Sequence, residues 1–193
     1  EWSKDYEIAS HSFSHKYWNT LNYEERKQEL DNFINLYQSI FQKHPTGFRA
    51  PSHVIDEDGI NLLEEKGFLY DSSIVPHYPP FKQYRGYKGR APLAPYYPRS
   101  RKILEIPVRG QVFGIPLAGA WLGRLPHLFY KILFEVYSPK FVTLNMHSWD
   151  VLDWPERKSK PEQFLKNLEK IIKLLKNKNY QFLNGEQILK NRR

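Results

Sequence analysis

The sequence predicts an α/β fold with mainly parallel strands. Three observations predict it. Short strand-like segments alternate with longer segments of helical hydrophobic period, capping and stop residues mark the boundaries between them, and the most polar motifs fall directly after the strand-like segments.

In chain order, Asp5 to Ser10 reads as a short strand running into His11-Ser12-Phe13-Ser14-His15. Asn22 then opens a helix as N-cap, with Glu25 three residues on as its capping-box partner. Leu30, Phe33, Ile34, Tyr37, Ile40 and Phe41 recur along that helix at the spacing of one buried face. Gly47 to Ala50 is strand-like and is stopped by Pro51. A second helix is expected from about Glu57 to Lys66, ended by Gly67, and Leu69-Tyr70-Asp71 is the next strand. From Pro76 to Arg101 prolines alternate with tyrosines and basic residues, the composition of an irregular surface excursion. Regular structure is expected again at Ile103 to Val108 (strand), Leu125 to Val136 (helix) and Phe141 to Leu144 (strand). A long helix begins near Pro161 and shows Phe164, Leu165, Leu168, Ile171, Ile172 and Leu175 on one face. A last strand, Tyr180 to Leu183, leads into a short helix. Internal repeats and linker-like tracts are missing from the 193 residues, so one domain over 1–193 is expected.

Composition narrows the chemistry. Cysteine is absent, so disulfides and thiolate-ligated metals are excluded and any metal must rest on His, Asp or Glu. No apolar run reaches the roughly 18 residues of a membrane span, and Glu1-Trp2-Ser3-Lys4-Asp5 lacks signal-peptide character. The net charge of +8 is spread over the lysines of the last long helix and the Arg85 to Lys102 stretch, without a nucleic-acid motif, and reads as solvated surface.

His11 and His15 stand four apart and can turn both imidazoles toward one ion. Alone, such a pair is weak. It gains weight because Arg49-Ala50-Pro51, Asp71-Ser72-Ser73 and Asn145-Met146-His147-Ser148-Trp149 follow it in order, each after a strand-like segment, where α/β barrels place their sites.

These segments resemble the ordered motifs of the polysaccharide deacetylases, the NodB-homology domain of carbohydrate esterase family 4. His11-Ser12-Phe13-Ser14-His15 looks like the second motif, Arg49-Ala50-Pro51 the third, Asp71-Ser72-Ser73 the fourth and His147 the fifth. Phe48 to Ser52 and Tyr70 to Ser73 are especially similar to the branch associated with exopolysaccharide biosynthesis. The resemblance implies a distorted (β/α) barrel, and a hydrolase that removes N-acetyl groups from an amino-sugar polysaccharide or glycan. It implies a divalent metal on His11 and His15, zinc first, with cobalt, nickel or manganese as alternatives. His147 would be the general acid, Asp71 its partner, and Arg49 the residue orienting a base carboxylate. Pro51, Met146 and Trp149 would line the substrate site.

Two departures stand out. The family's opening motif, a Thr-Phe-Asp-Asp-like strand end bearing a metal-binding and a base aspartate, is not among these residues. The expectation is therefore a domain truncated at its N-terminus and lacking its first strand. Asn145 also stands where the family has an apolar residue beside the acetyl pocket.

Competing assignments are plainer. Arg49 could be a structural ion-pair residue, Asp71 a turn or capping residue, and His147 a core histidine. His44, His53, His77 and His127 need no role, and Tyr84, Tyr87, Tyr96 and Tyr97 suit packing of the proline-rich stretch as well as sugar stacking. At the level of function the alternatives are an inactive glycan-binding or regulatory member of the same fold, a non-sugar amidase of the same superfamily, and a two-histidine, one-carboxylate iron oxygenase. Oligomeric state is not readable from the sequence.

Overall fold

A computed structural model describes residues 5–76, 86–87, 91–98, 101–108, 117–153 and 160–192. His77, Tyr84 and Arg85 lie outside the described residues. The chain divides into two compact units, Glu1–Val108 with Leu183–Arg193, and Arg109–Phe182.

The first unit is built on a small parallel sheet. Strands β1 (Gly47–Phe48), β2 (Tyr70–Asp71) and β3 (Leu104–Glu105) stand side by side in sequence order, with Phe48 opposite Asp71 and Asp71 opposite Glu105. Of the expected strand at Asp5 to Ser10, only Ser10 makes a bridge, parallel to Phe48 on the free side of β1. Parallel neighbours in sequence order require a crossover between one strand and the next. Helix α1 (Tyr23–Phe41) precedes β1, and α2 (Glu57–Glu65) lies between β1 and β2.

Helix α1 starts as its sequence dictates: Asn22 accepts from the Glu25 N–H while the Glu25 side chain accepts from the Asn22 N–H. Leu30, Ile34 and Tyr37 are buried on its inner face, whereas Ile40 is exposed. Asp56 caps α2 through the Gly59 N–H, and Gly67 ends it with φ +80°, a conformation glycine adopts without penalty. The core gathers Trp18, Leu30, Phe48, Ile60, Leu63, Phe68, Ile74 and Ile103 between helices and sheet. Tyr87 and Tyr96 pack against it, as the packing alternative for these tyrosines expects; Tyr97 is exposed.

At the opposite end of the strands from the motifs, Tyr70 is enclosed by two glycines. A Cβ at Gly47 would fall 1.9 Å from the Tyr70 ring, and one at Gly185, in α6 (Gly185–Lys190), 2.3 Å from it. The Tyr70 hydroxyl donates to Glu7, whose other oxygen accepts from the Glu186 N–H at 3.0 Å. Gly47→Ala is therefore expected to lower unfolding free energy by roughly 1–3 kcal/mol, as overpacking does; a denaturant melt with unchanged midpoint would show that the ring yields freely.

The second unit contains α3 (Gly119–Leu122), α4 (His127–Val136) and α5 (Pro161–Asn177) around Leu117, Leu122, Tyr130, Leu133, Phe134, Phe164, Ile171 and Leu175. Buried Asn167 of α5 donates to the carbonyls of Leu122 and Leu125, holding the α3–α4 turn to α5. Leu165 faces outward, not inward as its apolar character suggests. Phe141 to Leu144 forms no strand. The only pairing there is a parallel bridge between Ala118 and Asn145 among the described residues. Tyr180 to Leu183 is likewise without strand pairing among the described residues. Both segments have the residue types of strands, but residue type does not supply a neighbouring edge.

Candidate active site

Ser10, Phe48 and Asp71 are the last paired residues of three adjacent parallel segments, so the residues that follow each emerge at the same, carboxyl-terminal edge of the sheet. His11, Arg49 and Ser72 follow them directly. The sheet's own hydrogen bonds fix this spacing: Arg49 N–H donates to Ser10 O at 2.9 Å and Ser72 N–H to Phe48 O at 2.9 Å.

The His11 and His15 rings lie edge to face with centroids 4.9 Å apart, and both side chains are exposed. His11 Nδ1 is 2.7 Å from the Arg49 carbonyl oxygen. A carbonyl only accepts, so Nδ1 carries the hydrogen, and the contact fixes the ring's orientation as such a partner does for a ligating imidazole. Between the two histidines the chain makes a tight turn with positive φ at Ser12 (64°) and His15 (60°). Glu29 of α1 holds it. One Glu29 oxygen accepts from Ser12 Oγ, Phe13 N and Ser14 N at 2.8, 3.0 and 2.7 Å, and the other from Ser14 Oγ at 2.7 Å. Partial burial works to raise the Glu29 carboxyl, but the hydrogen bonds from Ser14, Ser12 and Phe13 outweigh it and hold it below the ordinary glutamate value. Sequence reading missed Glu29, which lies fourteen residues beyond His15 in α1.

Arg49 reaches across β2, where Nε donates to the Ser72 carbonyl at 2.9 Å and Nη2 to Ser72 Oγ at 2.8 Å. Burial lowers its proton affinity, opposed by the potentials of Tyr70, Asp71 and Glu105. Asp71 is neither a turn nor a capping residue: it ends β2 in the interior, with Oδ1 accepting from Ser73 Oγ at 2.6 Å. Ser73 Oγ in turn accepts from Ala50 N–H at 2.8 Å, tying the Arg49-Ala50-Pro51 and Asp71-Ser72-Ser73 segments together. Pro51 is buried at the start of a 3-10 turn, Pro51–His53. Glu105, which ends β3, faces Asp71 and was not foreseen.

In the second unit His147 precedes the 3-10 turn Ser148–Val151. Its ring stacks on Trp149 at 4.2 Å with an interplanar angle of 12°, and its Nδ1 lies 3.8 Å from Asp150 Oδ2. Asp150 is buried and accepts from the His147 N–H at 2.8 Å. Gly119 makes room for that carboxylate, since a Cβ there would fall 1.8 Å from Asp150 Oδ2. His147 is exposed, not a core histidine, and Met146 and Trp149 are 42% and 38% exposed, open to a ligand.

The donor set bears on the implied metal. His11 and His15 offer two nitrogens facing one region, but among the described residues no group of three or more His, Cys, Asp or Glu is arranged to hold an ion. The two imidazoles fit part of a divalent-metal site, not a whole one.

Comparison with known proteins places the chain. The family model described as glycosyl hydrolase family 57 matches residues 2–192. The chain belongs to glycosyl hydrolase family 57. That is a different family from the one its motifs resemble, yet this family 57 chain is also similar to proteins described as deacetylases or deacetylase-like. A peptidoglycan deacetylase-like protein of Gibberella zeae is 46% identical over 71 residues, 37% of the chain and 21% of that protein. Among solved structures, a protein assigned as a polysaccharide deacetylase from Mycobacterium smegmatis superposes with TM-score 0.65 at 18% identity, over 98% of the chain and 63% of that protein. Puue allantoinase gives 0.61 at 15% identity, over 97% and 59%. A protein assigned as a polysaccharide deacetylase from Pseudomonas aeruginosa gives 0.57 at 17% identity, over 97% and 59%. The family 57 chain thus spans about a fifth of the curated relative and about three fifths of each structural neighbour. It shares with these neighbours a deacetylase-type fold of mixed helix and sheet. Among the described residues, no helix is long and apolar enough to cross a membrane.

Proposed function

We propose that the chain carries much of the site of a metal-dependent hydrolase that removes N-acetyl groups from an amino-sugar polysaccharide or glycan. The supporting observation is the pair His11 and His15, side by side at the carboxyl edge of a parallel sheet, with the His11 ring oriented through Nδ1 by the Arg49 carbonyl. The fold would be the distorted (β/α) barrel of the deacetylases, of the exopolysaccharide-associated branch. A divalent ion on these histidines, zinc first, would polarise the amide carbonyl and favour ionisation of water. Glu29 holds the turn between the two histidines, and the Arg49 carbonyl holds the His11 ring. His147 would protonate the departing amine, its ring steadied by Trp149 and Asp150. Pro51, Met146 and Trp149 would border the sugar. A carboxylate to complete the ligand set, and one to accept the water's proton, would come from elsewhere in the whole protein.

Membership of family 57 favours a second reading, cleavage of a glycosidic bond. That chemistry needs two carboxyl groups on either side of the scissile bond, roughly 5 to 9.5 Å apart. Asp71 and Glu105, the acidic pair at this sheet edge, instead bond to each other in the interior, where no sugar fits between them.

Deacetylation is tested by acetate release from chitin oligomers by the whole protein, with metal removed by chelation and restored. Loss on chelation and recovery with zinc are expected; release indifferent to chelation would contradict metal dependence. The loop predicts a further effect: Glu29→Ala should weaken zinc binding roughly 10- to 100-fold, the scale of losing a supporting partner, with Glu29→Gln retaining most of it. Titration calorimetry reads both, and equal affinities for all three proteins would deny Glu29 this role.

A further inference from the structure

The register of β2 and β3 sets two acids against each other. Asp71 and Glu105 are 1% and 2% exposed, and their carboxyl groups hydrogen-bond. Two ionised carboxylates have only lone pairs to offer, so the contact exists only while one keeps its proton. The surroundings say which. Asp71 accepts from the Ser73 hydroxyl and feels the Arg49 guanidinium. Glu105 accepts the Ile74 N–H at Oε1, at 3.0 Å, and Asp71 feels Arg49 more strongly than Glu105 does. Asp71 Oδ2, moreover, is buried and takes no hydrogen bond when both acids are drawn ionised. A hydrogen on Glu105 Oε2 satisfies it.

We propose that Glu105 stands as a neutral carboxylic acid at neutral pH and donates its hydrogen to Asp71 Oδ2, so that the pair bears one negative charge opposite Arg49 and Glu105 is a positioning residue for Asp71. Burial, and for Glu105 the neighbouring Asp71 charge, pushes both carboxyls upward. The other groups facing the pair do not supply a competing charge of either sign. Tyr96, which is partly buried and exchanges backbone hydrogen bonds with Glu105, and buried Tyr70, beside Arg49, are phenols held well above their ordinary range and therefore neutral. That Glu105 steadies a residue of the proposed reaction rests on the preceding reading; the location of its proton does not.

The sign of the pH effect follows. In the unfolded chain Glu105 ionises near the ordinary value of about 4.3, whereas folded it keeps its proton higher. Its contribution to stability is thus full in acid and is lost as pH rises from that value through the raised folded one. Glu105→Gln keeps a donor and cannot ionise, so the variant's Tm should gain on the parent's as pH rises.

Infrared spectroscopy of the chain at pH 7, with carboxyl-labelled glutamate or aspartate, tests the proton directly. A neutral-acid carbonyl band that shifts with labelled glutamate and not with labelled aspartate is expected, lost in Glu105→Gln and in Asp71→Asn. No such band, or one that moves only with aspartate, would overturn the inference; because the labelling needs no variant, it decides even if neither folds. Failure of the deacetylase reading would leave the band in place, whereas failure of this inference removes it whatever the activity.

Discussion

His147→Ala should lower turnover by roughly 10²- to 10⁴-fold in the whole protein, the scale of losing a general acid, while zinc affinity and the melting curve stay nearly unchanged. Departure of a sugar amine needs a proton, and an imidazole can deliver one near neutral pH. The structure gives this ring the means. It is exposed to incoming ligand, stacked on Trp149 at 4.2 Å, and placed 3.8 Å from the buried carboxylate of Asp150. The turn that fixes Asp150 depends on Gly119, the only residue type that leaves space for its oxygens. Single-turnover acetate release would separate the chemical step from binding. A His147→Ala protein that keeps parental turnover would remove the residue from proton transfer.

His11→Ala should abolish both zinc binding and acetate release. Removing one of two imidazoles leaves His15 as the lone nitrogen, and a single neutral donor binds a divalent ion weakly against water. The loss should not be one of folding. His11 is exposed, its ring touching His15 and the Arg49 carbonyl, so truncation removes little buried surface. In the chain by itself zinc affinity should be modest even with both histidines, and the His11→Ala, His15→Ala double variant should show none. Equal titration curves for parent and double variant would take these histidines out of any metal site.

How much of this was written in the sequence differs by element. Helix α1 was legible to the residue at its start because Asn22 and Glu25 act locally, three positions apart. The parallel character of the sheet, the placement of Arg49 directly after one strand and that of Asp71 at the end of another were legible too, since alternation and motif position both report them. Strand identity at Phe141 to Leu144 was not, because an apolar β-branched run becomes a strand only where an edge is available, and that information is non-local. The carboxylates Glu29, Glu105 and Asp150 escaped notice for a related reason. Each acts on a partner through packing of α1, through strand register or against a glycine, and no spacing rule marks an acid buried beside another acid. A signal existed only for Asp150, three residues after His147.

Family 57 membership and a deacetylase-type fold point to different bonds in the same class of polymer, and one assay separates them. The whole protein and its His11→Ala and His147→Ala variants would be given one N-acetylated oligosaccharide, with acetate and new reducing ends measured in the same samples. Metal-dependent acetate release by the parent, lost in both variants and without new reducing ends, is the predicted result; reducing ends without acetate, or acetate release unchanged in His11→Ala, would contradict the deacetylase site.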